Sequence, residues 1–297
     1  MRGSTVSASP RGEAPEPGAD APMTPTENEA LAKAEFAAGV TKVRSTPSYL
    51  TLETTSRCNL RCVMCPHAIG AVTRPKHLDD ELAGKIARYL RQATGVQLHG
   101  IGEPTNSPAF WDLLGDLAPP ESCASSINSN FTHIDDARAR KLLESNLKII
   151  NVSLDAASAA TYRKIRGFSF ATVLGNLERF LVARRARGQR FPLVYLNMTL
   201  MRSNIEELKD FVRLGARLGV DYLHFWHMNK WSEAEMARYV VERDGWTFDY
   251  SKEGLWNHAA LSNRCIREAV TLAQEIGVPL RLDINKEVYF DEPEADS

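Results

Sequence analysis

The chain has 297 residues, 43% hydrophobic and 25% charged, the profile of a globular protein large enough to bury a substantial core. Its 36 basic and 37 acidic side chains leave a net charge of −1, which excludes a sequence-wide positive field for nucleic acid or an acidic membrane. No apolar run approaches the roughly 18–20 residues of a membrane helix, and the N-terminus lacks the apolar core of a secretory signal, so the expected location is the cytoplasm.

Residues 1 to about 27 hold five of the fifteen prolines and three glycines, too little apolar surface to offset the entropy of ordering. Segment 1–40 is therefore expected to be disordered or loosely packed, apart from a short helix over Glu29–Ala38. From Ser48 short β-rich runs alternate with longer helical patterns, the signature of βα units on a parallel sheet. Strands are expected at Tyr49–Thr54, Val96–Gly100, Ser125–Asn128, Ile149–Leu154, Leu193–Thr199 and Tyr222–His227. Helices are expected at Asp80–Gln92, Phe110–Leu117, Ile134–Ser145, Phe170–Arg187 and Ile205–Leu218, with acidic residues near several starts and Gly188 and Gly219 just past two ends. The pattern favours an open (βα)6 arrangement over 41–230, although a doubly wound sheet shows the same alternation. After His227 the period is lost until a helix at Leu261–Ile276 and a strand-like run at Leu280–Ile284. Residues 231–297 are too few for an independent domain and are expected to form a short extension over the barrel mouth. From Asp221 onward, 15 acidic face 8 basic side chains, so this end is the acidic one.

Three of the five cysteines fall inside eight residues, in Cys58-Asn-Leu-Arg-Cys62-Val-Met-Cys65, directly after the first expected strand. Spacing this close points to a metal or cluster rather than a disulfide framework. Three thiolates on one loop suit three corners of a [4Fe-4S] cube and leave the fourth iron open to a ligand. The same donors with His67 would make a Cys3His zinc site, so the loop alone leaves both readings standing. The second expected strand ends in Gly100-Ile-Gly102-Glu103-Pro104, where glycine permits close backbone approach and a carboxylate sits at the C-terminal mouth.

The cysteine loop after the first strand, Gly-Glu-Pro after the second, Ser129-Asn130 after the third and Val-Ser153-Leu-Asp155 in the fourth together resemble the radical S-adenosylmethionine (SAM) superfamily, over residues 48 to about 230. The resemblance implies an open (βα)6 partial TIM barrel. It implies that Cys58, Cys62 and Cys65 ligate one [4Fe-4S] cluster, that SAM chelates the fourth iron, and that an external donor such as flavodoxin or ferredoxin supplies the electron. It assigns Gly102 and Glu103 to the methionine amino group of SAM, Ser153 to its ribose and Met64 to the adenine side, with Ser129, Asn130 and Asn197 also at the SAM site. Ile101, Met64, Phe131 and Ala156 depart from the usual pattern, Phe131 and Ala156 standing where related runs have glycine.

Beyond the loop only Cys123 and Cys265 remain, too few to ligate an auxiliary cluster, which favours a redox-neutral outcome. Cys265 is the candidate hydrogen-atom donor to a substrate radical, while Cys123, preceding the third strand, belongs at the opposite end of the barrel and reads as structural. Trp226, Trp231, Trp246 and Trp256 interleave with Glu233, Glu235, Glu242, Asp244, Asp249 and Glu253, a combination suited to a hydroxylated polycation, or else to a core with a solvated acidic face. His99, His224 and His227 could line the pocket or be structural. Arg184–Arg187 suits a helix C-terminus. Taken together, the chain resembles the aminoglycoside-acting epimerases of that superfamily, which implies a polycationic aminosugar substrate inverted at one carbon, as in the conversion of neomycin C to neomycin B at C-5‴. The alternatives are a peptide epimerase, another redox-neutral sugar-modifying enzyme, or a cluster- or zinc-bearing binding protein without chemistry.

Overall fold

The computed structural model describes residues 23–283. The expectation of disorder for the first residues and the last residue of the run Leu280–Ile284 fall outside that range. Within it, the chain forms strands β1 (Tyr49–Thr51), β2 (Gly95–Gln97), β3 (Ala124–Ser129), β4 (Ile149–Ser153), β5 (Leu193–Leu200) and β6 (Tyr222–His227), a hairpin of β7 (Val240–Arg243) and β8 (Trp246–Asp249), and β9 (Leu280–Asp283). One sheet runs β1-β2-β3-β4-β5-β6-β9, and every neighbouring pair in it is parallel. Its edge strands β1 and β9 do not pair with each other, so the molecule is an open partial barrel. The expected six strands are all present, and β9 adds a seventh.

Alternation along the strands gives the sheet two unlike faces. Val96, Ile127, Ile150, Val152, Val194, Leu196, Met198, Leu223 and Phe225 join the main apolar core under the helices. The intervening residues Gln97, Asn128, Asn151, Ser153, Asn197, Thr199 and His224 are polar. Parallel sheets usually bury both faces in aliphatic side chains; here one face carries polar side chains instead. Parallel register aligns Ser153, Asn197 and His224 in one row, and Thr199, Trp226 and Asp283 in the next.

The helices are α1 (Pro25–Ala37), α2 (Asp80–Leu90), α3 (Pro108–Leu113), α4 (Asp136–Glu144), α5 (Ala159–Arg166), α6 (Phe170–Ala186), α7 (Leu208–Leu218), the short α8 (Glu233–Ala237) and α9 (Tyr250–Glu253), and α10 (Ala259–Glu275). Local chemistry sets their ends. Asp79, Asp135, Ser158 and Ser169 cap N-termini through their side chains, and Gly167 and Gly219 close α5 and α7 in the left-handed conformation. Helix α1 starts earlier than expected because Thr24 and Glu27 form a capping box. It is fastened by Asn28, which is fully buried and donates to the carbonyls of Thr46 and Gln92. Helix α10 packs against α7 and returns the chain to β9, completing one more βα unit. Among the described residues no helix is long and apolar enough to cross a membrane.

Candidate active site at the cysteine loop

Strand β1 delivers the chain into the cysteine loop, whose turn is set by the Cys65 N–H donating to the Cys62 carbonyl (2.9 Å). Cys62 is buried, while Cys58 and Cys65 are partly exposed. Burial pushes the Cys58 thiol up to about 11 and raises Cys65 as well. Donors face the sulfurs: Leu60 N–H lies 3.4 Å from Cys58 Sγ, the Asn130 amide 4.0 Å from the same atom, and Arg166 Nη1 3.4 Å from Cys62 Sγ. Such donors are what thiolates carrying a cluster require. His67, the fourth ligand that a Cys3His zinc site would need, lies against the backbone of Ser56 and Ile101.

The Gly-Glu turn after β2 is locked to this loop. A Cβ on Gly102 would stand 2.2 Å from the Thr55 carbonyl oxygen and 2.6 Å from that of Arg57, so no other residue fits, and Glu103 N–H donates to Arg57 (2.9 Å). The Glu103 side chain, 2% exposed, accepts from Thr105 N (3.2 Å), Thr105 Oγ1 (2.7 Å), Ser129 Oγ (2.8 Å) and Asn130 N (2.7 Å). Burial raises its carboxyl against the pull of these donors. Glu103, Ser129 and Asn130 thus brace the ends of β2 and β3 to one another, and the Glu103 oxygens are engaged with the protein itself. Asn130 extends the brace to the loop through Asn59 (3.0 Å). Next to it Phe131 adopts φ 58°, the conformation glycine takes without cost. The strain, on the order of 1–2 kcal/mol, is offset by full burial of the ring edge-to-face on Phe180 and by Asn176 donating to the Phe131 carbonyl (2.9 Å).

Beyond β4, Asp155 also has positive φ, 62°, and is 1% exposed. One carboxylate oxygen accepts from Thr199 N–H (2.7 Å) and the other pairs with Arg166 at the end of α5. Arg166 is a functional candidate that sequence reasoning passes over, because Tyr162-Arg-Lys-Ile-Arg166 looks like the exposed basic end of a helix. On the polar side of the sheet, Asn197 is 1% exposed, with both side-chain amide atoms unpartnered. A buried amide with no partner is costly unless a ligand supplies one, so Asn197 fits a SAM-binding role on geometry. Ser153 stands beside it in register.

A second apolar cluster closes the mouth: Val63 from the loop, Ile165, Met201 and, from 228–250, Met228, Met236, Tyr239, Phe248 and Tyr250. Arg243 fixes this cap to the loop by donating to the carbonyls of Lys164 (3.0 Å), Ile165 (2.9 Å) and Arg61. Beneath it lies a cavity of about 600 Å³ whose walls include Met64, Thr199, Trp226, Trp231, Tyr250 and Asp283. Trp231 stacks on Tyr250 (5.0 Å, 15°), and Asp283 accepts from His224 Nε2 (2.8 Å) and pairs with Arg281.

The tryptophans and acids therefore do not form one surface. Trp226 and Trp231 line the cavity, but Glu235 serves a capping box, Asp249 caps α9, Glu253 receives Ser203 N–H and Asp244 pairs with Arg163. The cavity's carboxylate is Asp283. Cys265 is buried in the main core on α10, with its thiol near Arg264, Glu268 and Glu206. It is one helical turn beyond Ser262, which contacts the cavity residue His227 (3.4 Å). Cys123 is buried just before β3.

A parallel partial barrel whose first strand feeds three clustered thiols, with a polar lumen beside them, defines an enzyme that pairs an iron–sulfur cluster with a small cofactor. The profile of the radical SAM superfamily matches residues 52–215, and the chain belongs to that superfamily. It is 30% identical over 184 residues to the tungsten-containing aldehyde ferredoxin oxidoreductase cofactor-modifying protein of Pyrococcus furiosus, covering 58% of this chain and 49% of that one. It is 31% identical over 175 residues to the mycofactocin maturase MftC of Mycobacterium ulcerans, covering 58% and 45%. The chain thus spans about half the length of these curated relatives. In fold it matches Streptococcus suis SuiB, solved with SAM (TM-score 0.61, 15% identity, 90% of this chain and 57% of that one) and with the precursor peptide SuiA (0.61, 14%, 92% and 57%). Its cofactors are one [4Fe-4S] cluster and SAM. Bound together and reduced by one electron, they would supply a 5′-deoxyadenosyl radical.

Proposed function

We infer that this enzyme is an epimerase acting on a polycationic aminosugar, of the kind that converts neomycin C to neomycin B at C-5‴. The observation that carries this reading is the cavity beside the cysteine loop, of about 600 Å³ and walled by Trp226, Trp231, Tyr250 and Asp283. Indole and phenol faces pack against sugar C–H surfaces and attract ammonium groups, and a carboxylate at the rim pairs with one. The capping segment supplies two of the cavity's walls, Trp231 and Tyr250, the side from which water must be kept off a reacting carbon.

Inversion needs a hydrogen atom returned to the face opposite the one that lost it. Cys265 is the proposed donor: its S–H bond breaks, a C–H bond forms on the substrate radical, and the thiyl left behind is restored by one electron from the external donor and one proton. It lies on α10 one turn past Ser262, which touches the cavity residue His227, and is itself buried in the main core.

The test is SAM cleavage by the anaerobically reconstituted enzyme with neomycin C, compared with a panel of peptides. The expected result is neomycin-dependent 5′-deoxyadenosine and, in D2O, deuterium on the inverted carbon. Cys265→Ala should still form 5′-deoxyadenosine with the epimer reduced at least 100-fold. Unchanged epimer yield from that variant overturns the donor, and cleavage stimulated by peptides alone overturns the substrate class in favour of the peptide chemistry that SuiB's complex exemplifies.

A further inference from the structure

Arg166 is placed where a charge would act on the cluster without touching it. Its side chain is 11% exposed, and the guanidinium forks between two partners, Nη1 toward Cys62 Sγ at 3.4 Å and Nη2 toward the Asp155 carboxylate. Both ends of the fork are rigidly mounted. Asp155 is fixed by its own bonds to Thr199 N–H and, through its carbonyl, to the Asn204 amide (2.9 Å). The last turn of α5 is tied to the cysteine loop by Val63 N–H donating to Ile165 (2.9 Å) and by Arg243 spanning Arg61, Lys164 and Ile165. Cys62 is also the buried member of the three thiols, so its sulfur has the least water to hydrate added negative charge.

We propose that Arg166 is a positioning residue that sets the cluster's reduction potential by donating a charge-assisted hydrogen bond to the Cys62 thiolate, with Asp155 holding the guanidinium in that orientation. Reduction adds one negative charge shared by cluster and thiolates. A fixed cation and N–H donor at a ligand sulfur stabilise the reduced form more than the oxidised one and raise the potential. Arginine suits the place because its planar fork serves a sulfur and a carboxylate together and it stays charged when buried.

The reconstituted full-length enzyme tests this without substrate or turnover. The midpoint of the cluster is read by EPR-monitored redox titration, with iron and sulfide counted in each sample. Arg166→Gln should titrate at lower potential than wild type, and Arg166→Lys in between. Arg166→Gln leaves Asp155 unpaired, so the double variant Arg166→Gln/Asp155→Asn removes both charges while Asn keeps the acceptor for Thr199. It too should titrate below wild type, because the hydrogen bond to sulfur is gone. A wild-type midpoint in Arg166→Gln overturns the proposal. So does recovery of the wild-type midpoint in the double variant, which would trace the shift to an unpaired Asp155. Loss of the cluster from Arg166→Lys as well would assign Arg166 to holding the fold and equally overturn the tuning role.

Discussion

The two sides of the active site are held together by different forces. Below the cavity, the ends of β1, β2 and β3 are joined by directional bonds in which one buried carboxylate, Glu103, gathers four donors from Thr105, Ser129 and Asn130, and Gly102 is pressed against backbone. Above it, residues 228–250 rest on Val63 and Ile165 through Met236, Tyr239, Phe248 and Tyr250, with Trp231 stacked on Tyr250. Hydrogen bonds to a buried carboxylate tolerate little displacement, whereas apolar packing accepts substitution of similar volume. The lower side thus fixes the position of the cysteines, and the upper side sets the shape of the space next to them.

The sharpest way to break that division is at the loop. Cys62→Ala should leave the cap in place yet abolish retained iron and SAM cleavage, since the two cysteines outside the loop, Cys123 and Cys265, are buried in the main core and cannot take its place. Iron analysis and anaerobic 5′-deoxyadenosine assays decide it; a variant that keeps a full cluster would separate the loop from the cofactor. A smaller effect is expected where the sides meet. Arg243→Met removes three hydrogen bonds from the guanidinium to the carbonyls of Arg61, Lys164 and Ile165 while keeping much of the side-chain volume. With each such bond worth roughly 1 kcal/mol or somewhat more, a loss of about 2–4 kcal/mol is expected in urea unfolding, with red-shifted tryptophan emission as Trp231 and Trp246 gain water. Wild-type stability and emission would show that apolar contacts alone hold the cap.

This contrast also explains which parts of the molecule the sequence makes legible. Cysteine spacing and the glycine at 102 are written in residue types that do one thing, and strand alternation places them; the six strands from Tyr49 to His227 are all found, with ends differing by up to three residues. Helix α5 escapes notice because its capping serine, Ser158, sits among alanines that carry no amphipathic period, and with it Arg166, whose partners lie 11 and 104 positions away in sequence. The β7–β8 hairpin carries a usable signal, Asp244-Gly245, with both residues at positive φ (48° and 75°), the turn that two-residue hairpins favour. Its register is set by aromatic neighbours rather than strict alternation, so periodicity alone does not expose it. The expected acidic and aromatic substrate surface fails for a related reason: capping and pairing partners, which recruit most of those carboxylates, are set by backbone geometry that composition does not report.

The smallest effect concerns the wall between cap and barrel. His227 ends β6, borders the cavity and contacts Ser262, and burial pushes its imidazole from 6.5 down to about 4. Above pH 6.5 the ring is neutral in both folded and unfolded chains and contributes nothing to pH dependence. Below it the unfolded chain takes up a proton that the folded chain resists, so stability falls as pH drops from about 6.5 toward 4. By pH 5 this amounts to up to about 2 kcal/mol, at roughly 1.4 kcal/mol per pH unit. Carboxylates add their own acid dependence, so the useful quantity is a difference: between pH 7.5 and 5, wild type should lose more stability than His227→Gln, by about 1–2 kcal/mol in anaerobic urea titrations. Parallel loss in the two proteins would mean that His227 is solvated in the folded state, and would place an opening in the cap where the structure has a wall.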